Sequence, residues 1–353
     1  MNSANKAVSA WLIIVCVTIF LMIVVGGVTR LTHSGLSMVD WKPIMGFVPP
    51  IGDSEWQATF DAYKQFPEYR LVNKGMELQE FKSIFYWEYG HRVLGRGIGI
   101  IFFVPMILLW WMGKIDKRLM PKLIVGLVLG GLQGLMGWYM VMSGLVDIPR
   151  VSHYRLAAHL CLALVILGYL FWIILDLHNT RRFQVPQLIR SLSLVVLCLV
   201  SVQIVYGAFT AGLRAGLGYN TFPLMDGKLI AEAALMMSPK WLNFFENGAM
   251  IQFIHRWVGT LLLVFVAGLV GLSIQRGLPR PIIRSTVMLL IIILMQYLLG
   301  IFTLINTVPV FLASTHQAVA CLVLLCTVYL VYIVRGDASK SGSEELATGK
   351  SDA

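Results

Sequence analysis

The chain has 353 residues, of which 58% are hydrophobic and only 13% are charged. A soluble domain carries about a quarter charged residues, so this composition excludes an ordinary soluble protein and predicts an integral membrane protein. The formal net charge of +10 is typical of short loops on one side of a membrane and does not by itself indicate a nucleic-acid partner.

Eight apolar segments reach the roughly 20 residues that a bilayer-spanning helix needs. They lie at 8–29, 86–111, 122–143, 155–177, 190–212, 249–274, 284–305 and 312–334. The first segment lacks a small-residue cleavage site and is predicted to be a retained helix. The polar stretch 335–353 has little to bury and is predicted to be a disordered cytoplasmic tail.

The basic residues of the short loops predict the orientation of these helices. The loops after segments 2, 4 and 6 hold clusters of Lys and Arg, whereas the loop after segment 3 holds only Arg150 and Arg155 and the loop after segment 7 holds none. Both termini are therefore predicted to be cytoplasmic. The long 1–2 and 5–6 loops then face the periplasm of a bacterial inner membrane, or the mitochondrial intermembrane space.

Two further features concern the loops and the cysteines. Aromatic residues recur every three or four positions in the 1–2 loop, which predicts a short helix that lies on the membrane, covers a cavity or packs within the loop. They are Trp56, Phe60, Tyr63 and Phe66. All the cysteines lie in apolar segments, which favours buried small side chains over disulfides or a CxxC metal site. They are Cys16, Cys161, Cys198, Cys321 and Cys326.

The two halves of the chain, 1–180 and 190–334, repeat the same motifs in the same order. The matched stretches are Glu88-x-x-His91-Arg92 with Gln252-x-x-His255-Arg256, Gln133-x-x-x-Gly137 with Gln296-x-x-x-Gly300, His159 with His316, and Gly35-Leu36 through Met45 with Gly216-Leu217 through Met225. Each half has an even number of spans, so the halves run in the same sense. The predicted fold is all-α, with eight transmembrane helices in two pseudo-symmetric four-helix bundles formed by a parallel tandem repeat.

Four of the seven histidines lie in predicted spanning helices, and each half holds two of them. His91 pairs with His159 and His255 pairs with His316, each one to two turns into a helix that enters from the outer side. Two facing histidines at one depth suit bis-histidine ligation of a haem iron. A lone histidine on an apolar helix is more often structural, but the repeated pair favours ligands. Zinc or copper is disfavoured, since neither half adds a cysteine or a second acid.

Arginines and glycines accompany these histidines. Arg92 and Arg256 each follow a histidine directly, and an arginine fork matches the carboxylates of a haem; the alternative is that both reach toward lipid headgroups. Glycines on helices 2 and 3 would admit a flat ring, although helix packing explains such patterns equally well. These are Gly90, Gly95, Gly97, Gly99, Gly130, Gly131, Gly134 and Gly137. No ligand role is predicted for the remaining histidines, His33, His153 and His178.

Glu88 breaks the symmetry, because its counterpart Gln252 cannot ionise. A carboxyl beside an apolar cavity can handle protons, and three residues separate it from His91 on one helix face. We therefore expect the first bundle to do chemistry on a haem and the second to hold a haem permanently. The alternative is that Glu88 merely pairs with Arg92 or Arg96.

In combination, three stretches resemble the haem A synthase family in its alphaproteobacterial and mitochondrial form. They are Glu88-Tyr89-Gly90-His91-Arg92, Tyr154 through His159, and Phe253-Ile254-His255-Arg256, together with Gly26 through Ser37 at the end of helix 1. The resemblance covers nearly the whole chain. It implies oxidation of the C8 methyl of haem O to a formyl group by molecular oxygen, which gives haem A for cytochrome oxidase.

The resemblance also implies roles for the site residues. His91 and His159 would face the iron of the substrate haem, His255 and His316 would ligate a haem b, and Glu88 would be the acid at the reactive site. Gram-positive members carry a cysteine pair in the first outer loop, which this sequence lacks. A haem O synthase could supply the substrate, and the electron donor and any homo-oligomer are left open. No nucleic acid is expected.

Two other classes of protein remain open on the sequence alone. A diheme membrane cytochrome b that takes electrons from quinol explains the four histidines equally well. It does not explain why only one half carries the acid. A haem transporter or chaperone is the third class, and extraction of the bound haems would separate the three.

Overall fold

The structure is a computed structural model of the chain, and it describes residues 3–39, 47–145 and 149–336. In these ranges the chain is helical, without a β-strand, which confirms the predicted all-α class. The helices are α1 Ser3–Leu31, α2 Asp53–Tyr63, α3 Pro67–Leu71, α4 Leu78–Trp111, α5 Met120–Met142, α6 His153–Leu177, α7 Gln187–Gly212, α8 Asn243–Glu246, α9 Gly248–Gln275, α10 Arg280–Ile305 and α11 Val310–Ile333.

Eight of these helices are long and apolar enough to cross a membrane, which confirms the predicted integral membrane protein. They are α1, α4, α5, α6, α7, α9, α10 and α11. Seven of the eight begin and end within about five residues of the predicted bounds. The exception is α4, which begins at Leu78 rather than near residue 86. A capping box between Glu77 and Glu80 satisfies its first N–H groups, so the helix starts well outside the apolar segment.

The spanning helices pack as two neighbouring groups. Helices α1, α4, α5 and α6 contact one another in chain order, as do α7, α9, α10 and α11. The groups meet where α1 and α6 contact α7 and α11, and α6 and α11 are the most buried spans. These contacts are the ones expected of two four-helix bundles side by side. The tandem repeat that would relate the two bundles stays a prediction.

One polar contact crosses between the groups inside the apolar core. The Gln317 Nε2 on α11 donates to the Ile23 carbonyl on α1 at 2.6 Å. A Cβ on Gly27 would lie 2.5 Å from the Gln317 Oε1, so only glycine lets the two helices approach this closely. Such small-residue contacts are the common means of close helix packing in lipid.

The predicted aromatic helix of the 1–2 loop is α2, which packs within that loop and ends at Tyr63, so Phe66 lies beyond it. Trp56, Phe60 and Tyr63 are buried and contact Phe81 and Phe85 at the start of α4. The stacked rings of Phe60 and Phe81 have centroids 5.0 Å apart. This cluster holds the loop on α4, which explains why α4 continues beyond the apolar segment.

The prediction of buried cysteines is wrong in part. Cys321 is buried, but Cys198 is exposed and Cys16, Cys161 and Cys326 are half-buried. An apolar residue of a spanning helix can face lipid as readily as protein, so the apolar sequence around a cysteine does not decide its burial. The predicted tail beyond residue 336 and the matched segment from Asp40 to Met45 lie outside the described residues.

Candidate functional site

The histidines of the second half face each other between α9 and α11. The ring centroids of His255 and His316 lie 6.4 Å apart, and the ring planes are at 84°. Two imidazoles on opposite sides of one metal have ring centres about 6 Å apart, because each metal–nitrogen bond is roughly 2 Å long. The spacing of this pair therefore fits a single iron held between the two rings.

Glycines on the neighbouring helices make room for both rings. A Cβ built on Gly207 of α7 would lie 3.0 Å from the His255 Cε1, and one on Gly300 of α10 would lie 2.9 Å from the His316 Cε1. Real Cβ contacts are essentially never shorter than this, so a larger residue would displace either ring. The two glycines therefore fix where the imidazoles lie.

The first half repeats this arrangement around His91 and His159. A Cβ on Gly26 of α1 would lie 3.0 Å from the His91 Nε2, and one on Gly137 of α5 would lie 3.0 Å from the His159 Cε1. His91 was expected one to two turns into its helix, and this is wrong, since it lies thirteen residues after the first residue of α4. The difference arises because α4 begins earlier in the chain than predicted.

A glutamine accompanies each of three histidines. The Gln133 Nε2 donates to the His159 carbonyl at 3.1 Å, and the Gln203 Nε2 donates to the His255 carbonyl at 3.0 Å. The Gln296 Nε2 lies 3.4 Å from the His316 Nε2. The neighbouring helices thus hold the histidine-bearing helices through polar contacts beside the rings.

Buried polar atoms without a partner concentrate around the histidines. They include the Nδ1 of His159, His255 and His316 and the Oε1 of Gln133, Gln203 and Gln296, counting only the described residues. Each such atom costs about 1–3 kcal/mol, and native proteins leave few of them. In the second half the opposed imidazoles, the glycines beside them and these atoms fit a bound haem. In the first half the glycines beside the rings and the unpartnered atoms of His159 and Gln133 recur.

Glu88 is 3% exposed, and its carboxylate lies in a complete hydrogen-bond network. The Ser37 Oγ and the Met38 backbone N–H donate to its Oε2, each at 2.8 Å. The Arg92 Nη2 donates to its Oε1 at 2.5 Å and to the Met38 carbonyl at 2.8 Å. Glu88 and Arg92 therefore tie the start of the 1–2 loop to α4, as the pairing alternative expected.

Gln252 and Arg256 do the same for the other half. The Gln252 Nε2 donates to the carbonyls of Ala215 and Gly218 at 2.8 and 2.7 Å. Arg256 donates to the Gln252 Oε1 at 2.8 Å and to carbonyls of the 5–6 loop, including that of Tyr219 at 2.5 Å. The prediction that Arg92 and Arg256 bind haem carboxylates stays a prediction, and both guanidinium groups already donate within the protein.

The three remaining histidines have other contacts. The His153 Nε2 lies 2.9 Å from the Phe245 carbonyl, and the His178 Nε2 lies 2.6 Å from the Ser9 Oγ. The His33 Nδ1 accepts from Arg214 at 2.9 Å. None of them joins either histidine pair.

The sequence did not identify Gly26 and Gly207 as the glycines that lie against His91 and His255. It also did not identify Gln203 as a hydrogen-bond partner of the His255 backbone. A signal was present, since Gly26 and Gly207 each lie nine residues before a matched glycine, Gly35 or Gly216. Gln203 carried a signal as well, because it precedes Gly207 by four residues, as Gln133 precedes Gly137 and Gln296 precedes Gly300. Only the packing of α7 on α9 reveals its contact.

The described residues contain no group of three or more His, Cys, Asp or Glu that could hold a metal ion by itself. Fold and site thus define an integral membrane protein of eight spanning helices with two half-buried histidines on the spanning helices of each half, and the rings of His255 and His316 face each other. A pair of this kind completes a metal centre only with the ring nitrogens of a macrocycle.

Comparison with known proteins agrees with this description. The family model of the cytochrome oxidase assembly protein COX15-CtaA matches residues 9–328. The haem A synthase of Parvibaculum lavamentivorans is 45% identical over 331 residues, which cover 94% of this chain and 95% of the relative. The haem A synthase of Nitrosospira multiformis is 44% identical over 337 residues, with the same coverage of each chain. The chain belongs to the COX15-CtaA family, and it is a membrane-bound enzyme of haem A biosynthesis.

Proposed function

We propose that the protein is a haem A synthase that oxidises the C8 methyl of haem O to a formyl group. Haem O lies between His91 and His159 in the first half, and a haem b lies between His255 and His316 in the second. The observation that carries the proposal is the opposed pair His255 and His316, whose ring centroids lie 6.4 Å apart. The glycines that lie against these two rings have counterparts beside the histidines of the first half. The names of the curated relatives favour the same reaction.

The oxidation requires reactants beyond the protein. Each oxygenation of the methyl group consumes molecular oxygen, two electrons and two protons. A haem b between His255 and His316 would supply one-electron redox chemistry. The electrons come from a donor protein or quinol outside the chain. The substrate is supplied by a haem O synthase.

Glu88 is the residue to which we assign the proton chemistry of the first half. It is buried, lies one turn from His91 on α4 and is replaced by the neutral Gln252 in the second half. Its carboxylate is held by Ser37 and Met38, so its position relative to His91 is fixed. A fixed carboxylate one turn from the imidazole can accept or return a proton through water.

The test is Glu88→Gln in purified protein made beside a haem O source, with the extracted haems separated by chromatography. The second half shows that an amide keeps the bond with its arginine, since the Arg256 Nη2 donates to the Gln252 Oε1. We therefore expect haem b to be retained and haem A to fall about a hundredfold or more, the range of a lost acid–base group.

Asp61→Asn, which changes an exposed acid of α2, is the control, and it is expected to leave haem A production near the wild-type level. Undiminished haem A in Glu88→Gln would overturn the role of Glu88. Two haem b groups per chain and no farnesylated haem in the wild type would instead favour the diheme cytochrome and overturn the proposed reaction.

A further inference from the structure

Two arginines and a histidine meet at the outer end of the boundary between the two halves. Arg30 lies in the last turn of α1, and His33 and Arg214 follow α1 and α7. The Arg214 Nη2 lies 2.9 Å from the His33 Nδ1. Burial, then the charge of Arg214 and then that of Arg30 lower the pKa of His33, so both arginines lie near it. Like charges gathered in this way repel one another.

The backbone builds this cluster from matching positions of the two halves. His33 and Arg214 both have a φ of 54°, in the left-handed region, directly after the ends of α1 and α7. Few residues other than glycine adopt this conformation without strain. The two turns therefore present the side chains toward each other at a defined place.

Arg30 is half-buried, and its side chain makes no hydrogen bond or ion pair with any residue that the structure describes. The charge of Glu68 acts on Arg214 in this cluster. A half-buried guanidinium group loses part of its hydration without gaining an acceptor, and an arginine fork is well suited to bind an anion. The cluster therefore has the properties of an anion site.

The position of Arg30 on α1 relates this site to His91. Gly26 approaches the His91 Nε2 so closely that a Cβ there would lie 3.0 Å from it. Arg30 follows Gly26 by four residues, so it lies on nearly the same face of α1, about 6 Å farther outward. An anion at Arg30 thus lies one helical turn outside the His91 imidazole.

We propose that Arg30, supported by His33 and Arg214, binds a carboxylate of the tetrapyrrole held between His91 and His159. The inference rests on the proposed function, since it assumes a haem in the first half. An arginine fork accepts a carboxylate through two parallel hydrogen bonds, and the half-buried position strengthens them. The matched position in the second half is Ala211, so this cation distinguishes the reacting haem from the resident one.

The test compares two ligands, iron protoporphyrin IX and its dimethyl ester, which lacks the carboxylate charges. Each is titrated into purified protein that retains its resident haem, and binding is followed by the Soret absorbance. We expect the wild type to bind the free acid at least tenfold more tightly than the ester. Arg30→Gln should bind the acid about tenfold more weakly and the ester unchanged, and Arg30→Lys should lie between them.

Arg276→Gln is the control, because Arg276 is an exposed arginine at the far end of α9. Equal weakening of both ligands in Arg30→Gln would make Arg30 structural and overturn the proposal. Unchanged binding of both, with loss of co-purified anionic phospholipid, would assign the site to a lipid phosphate instead. A wild type that binds no second haem at all would overturn the proposed function together with this site.

Discussion

At the scale of the residue, Glu88 and Gln252 occupy matched positions but bond to their loops in opposite directions. Each accepts a hydrogen bond from the arginine four residues later on its helix. The Glu88 carboxylate also accepts from the Met38 backbone N–H, whereas the Gln252 amide donates to the carbonyls of Ala215 and Gly218. Each loop therefore requires its own side chain, and of the two only Glu88 can ionise.

The glycines that lie against the histidine rings give a prediction for the haem of the second half. In Gly300→Val the new side chain would meet the His316 ring, because even a Cβ lies only 2.9 Å from its Cε1. The ring must turn away from His255, so haem b per chain, measured by pyridine haemochrome, should fall at least several-fold. Gly268→Val is the control, since nothing lies within 4 Å of a Cβ there. Equal haem content in both variants would contradict the role of Gly300 in positioning the His316 ring.

At the scale of the element, the outer cover formed by α2, α3 and the start of α4 contains a buried acid. Glu68 is 6% exposed and accepts a hydrogen bond from the Tyr63 hydroxyl at 3.2 Å. Burial, and then the negative charge of Glu88, raise the pKa of Glu68 from 4.5 to about 7. Burial likewise raises the pKa of Tyr63. The cover therefore favours a protonated Glu68.

This pKa predicts how the stability of the cover depends on pH. Between pH 4.5 and about 7 the unfolded chain loses the Glu68 proton and the folded chain keeps it, so stability falls as pH rises. Above pH 7 the folded state carries a buried charge and the loss levels off, at about 2–3 kcal/mol or less. Hydrogen exchange over residues 53–77 should accordingly show more opening at pH 8 than at pH 5, beyond the intrinsic change in exchange rate.

Glu68→Gln should remove most of that pH dependence, because its side chain stays neutral. Asp61→Asn is the control, since Asp61 is exposed and its pKa is lowered by the hydrogen bond from Lys64. It is ionised throughout this pH range, and its removal should leave the dependence intact. A Glu68→Gln cover that opens between pH 5 and 8 as much as the wild type would refute the raised pKa.

At the scale of the whole molecule, the two helix groups meet along α1, α6, α7 and α11, while α4, α5 and α10 are the most exposed spans. In each half one histidine lies on a central helix, His159 on α6 and His316 on α11, and the other lies on α4 or α9. The central helices α1 and α7 supply Gly26 and Gly207 behind two of the rings. Gln317 follows His316 and contacts α1 three residues before Gly26. The two sites are therefore joined through one rigid helix contact.

The orientation predicted from the basic loops can be tested on intact cells. Gln57→Cys places a thiol on the exposed face of α2 in the 1–2 loop, and Lys117→Cys places one in the exposed loop between α4 and α5. An impermeant maleimide should label only the first, because the rule for Lys and Arg puts the second loop in the cytoplasm. The wild type is the background, since its cysteines lie within spanning helices. Labelling of Lys117→Cys alone would reverse the orientation.

Apolar length by itself was enough to find all eight spans, because a bilayer demands a fixed number of apolar residues whatever the neighbouring helices do. The repeated Glu/Gln-x-x-His-Arg motif was likewise enough to single out His91 and His255, and the next matched stretch of the repeat singled out His159 and His316. The start of α4 was not predictable in this way, since it depends on a cap at Glu77 and on aromatic contacts with α2.

The sequence by itself determined the membrane class, the helix count and the histidines that pair, since these depend on composition and on periodic position along one chain. Only the tertiary structure decided that Glu88 is tied to Ser37, Met38 and Arg92, that glycines of other helices seat the imidazoles, and that Arg30 is left without a partner. Each of these depends on contacts between segments far apart in the chain. Such contacts are set by how the helices pack, which no local pattern of residues records.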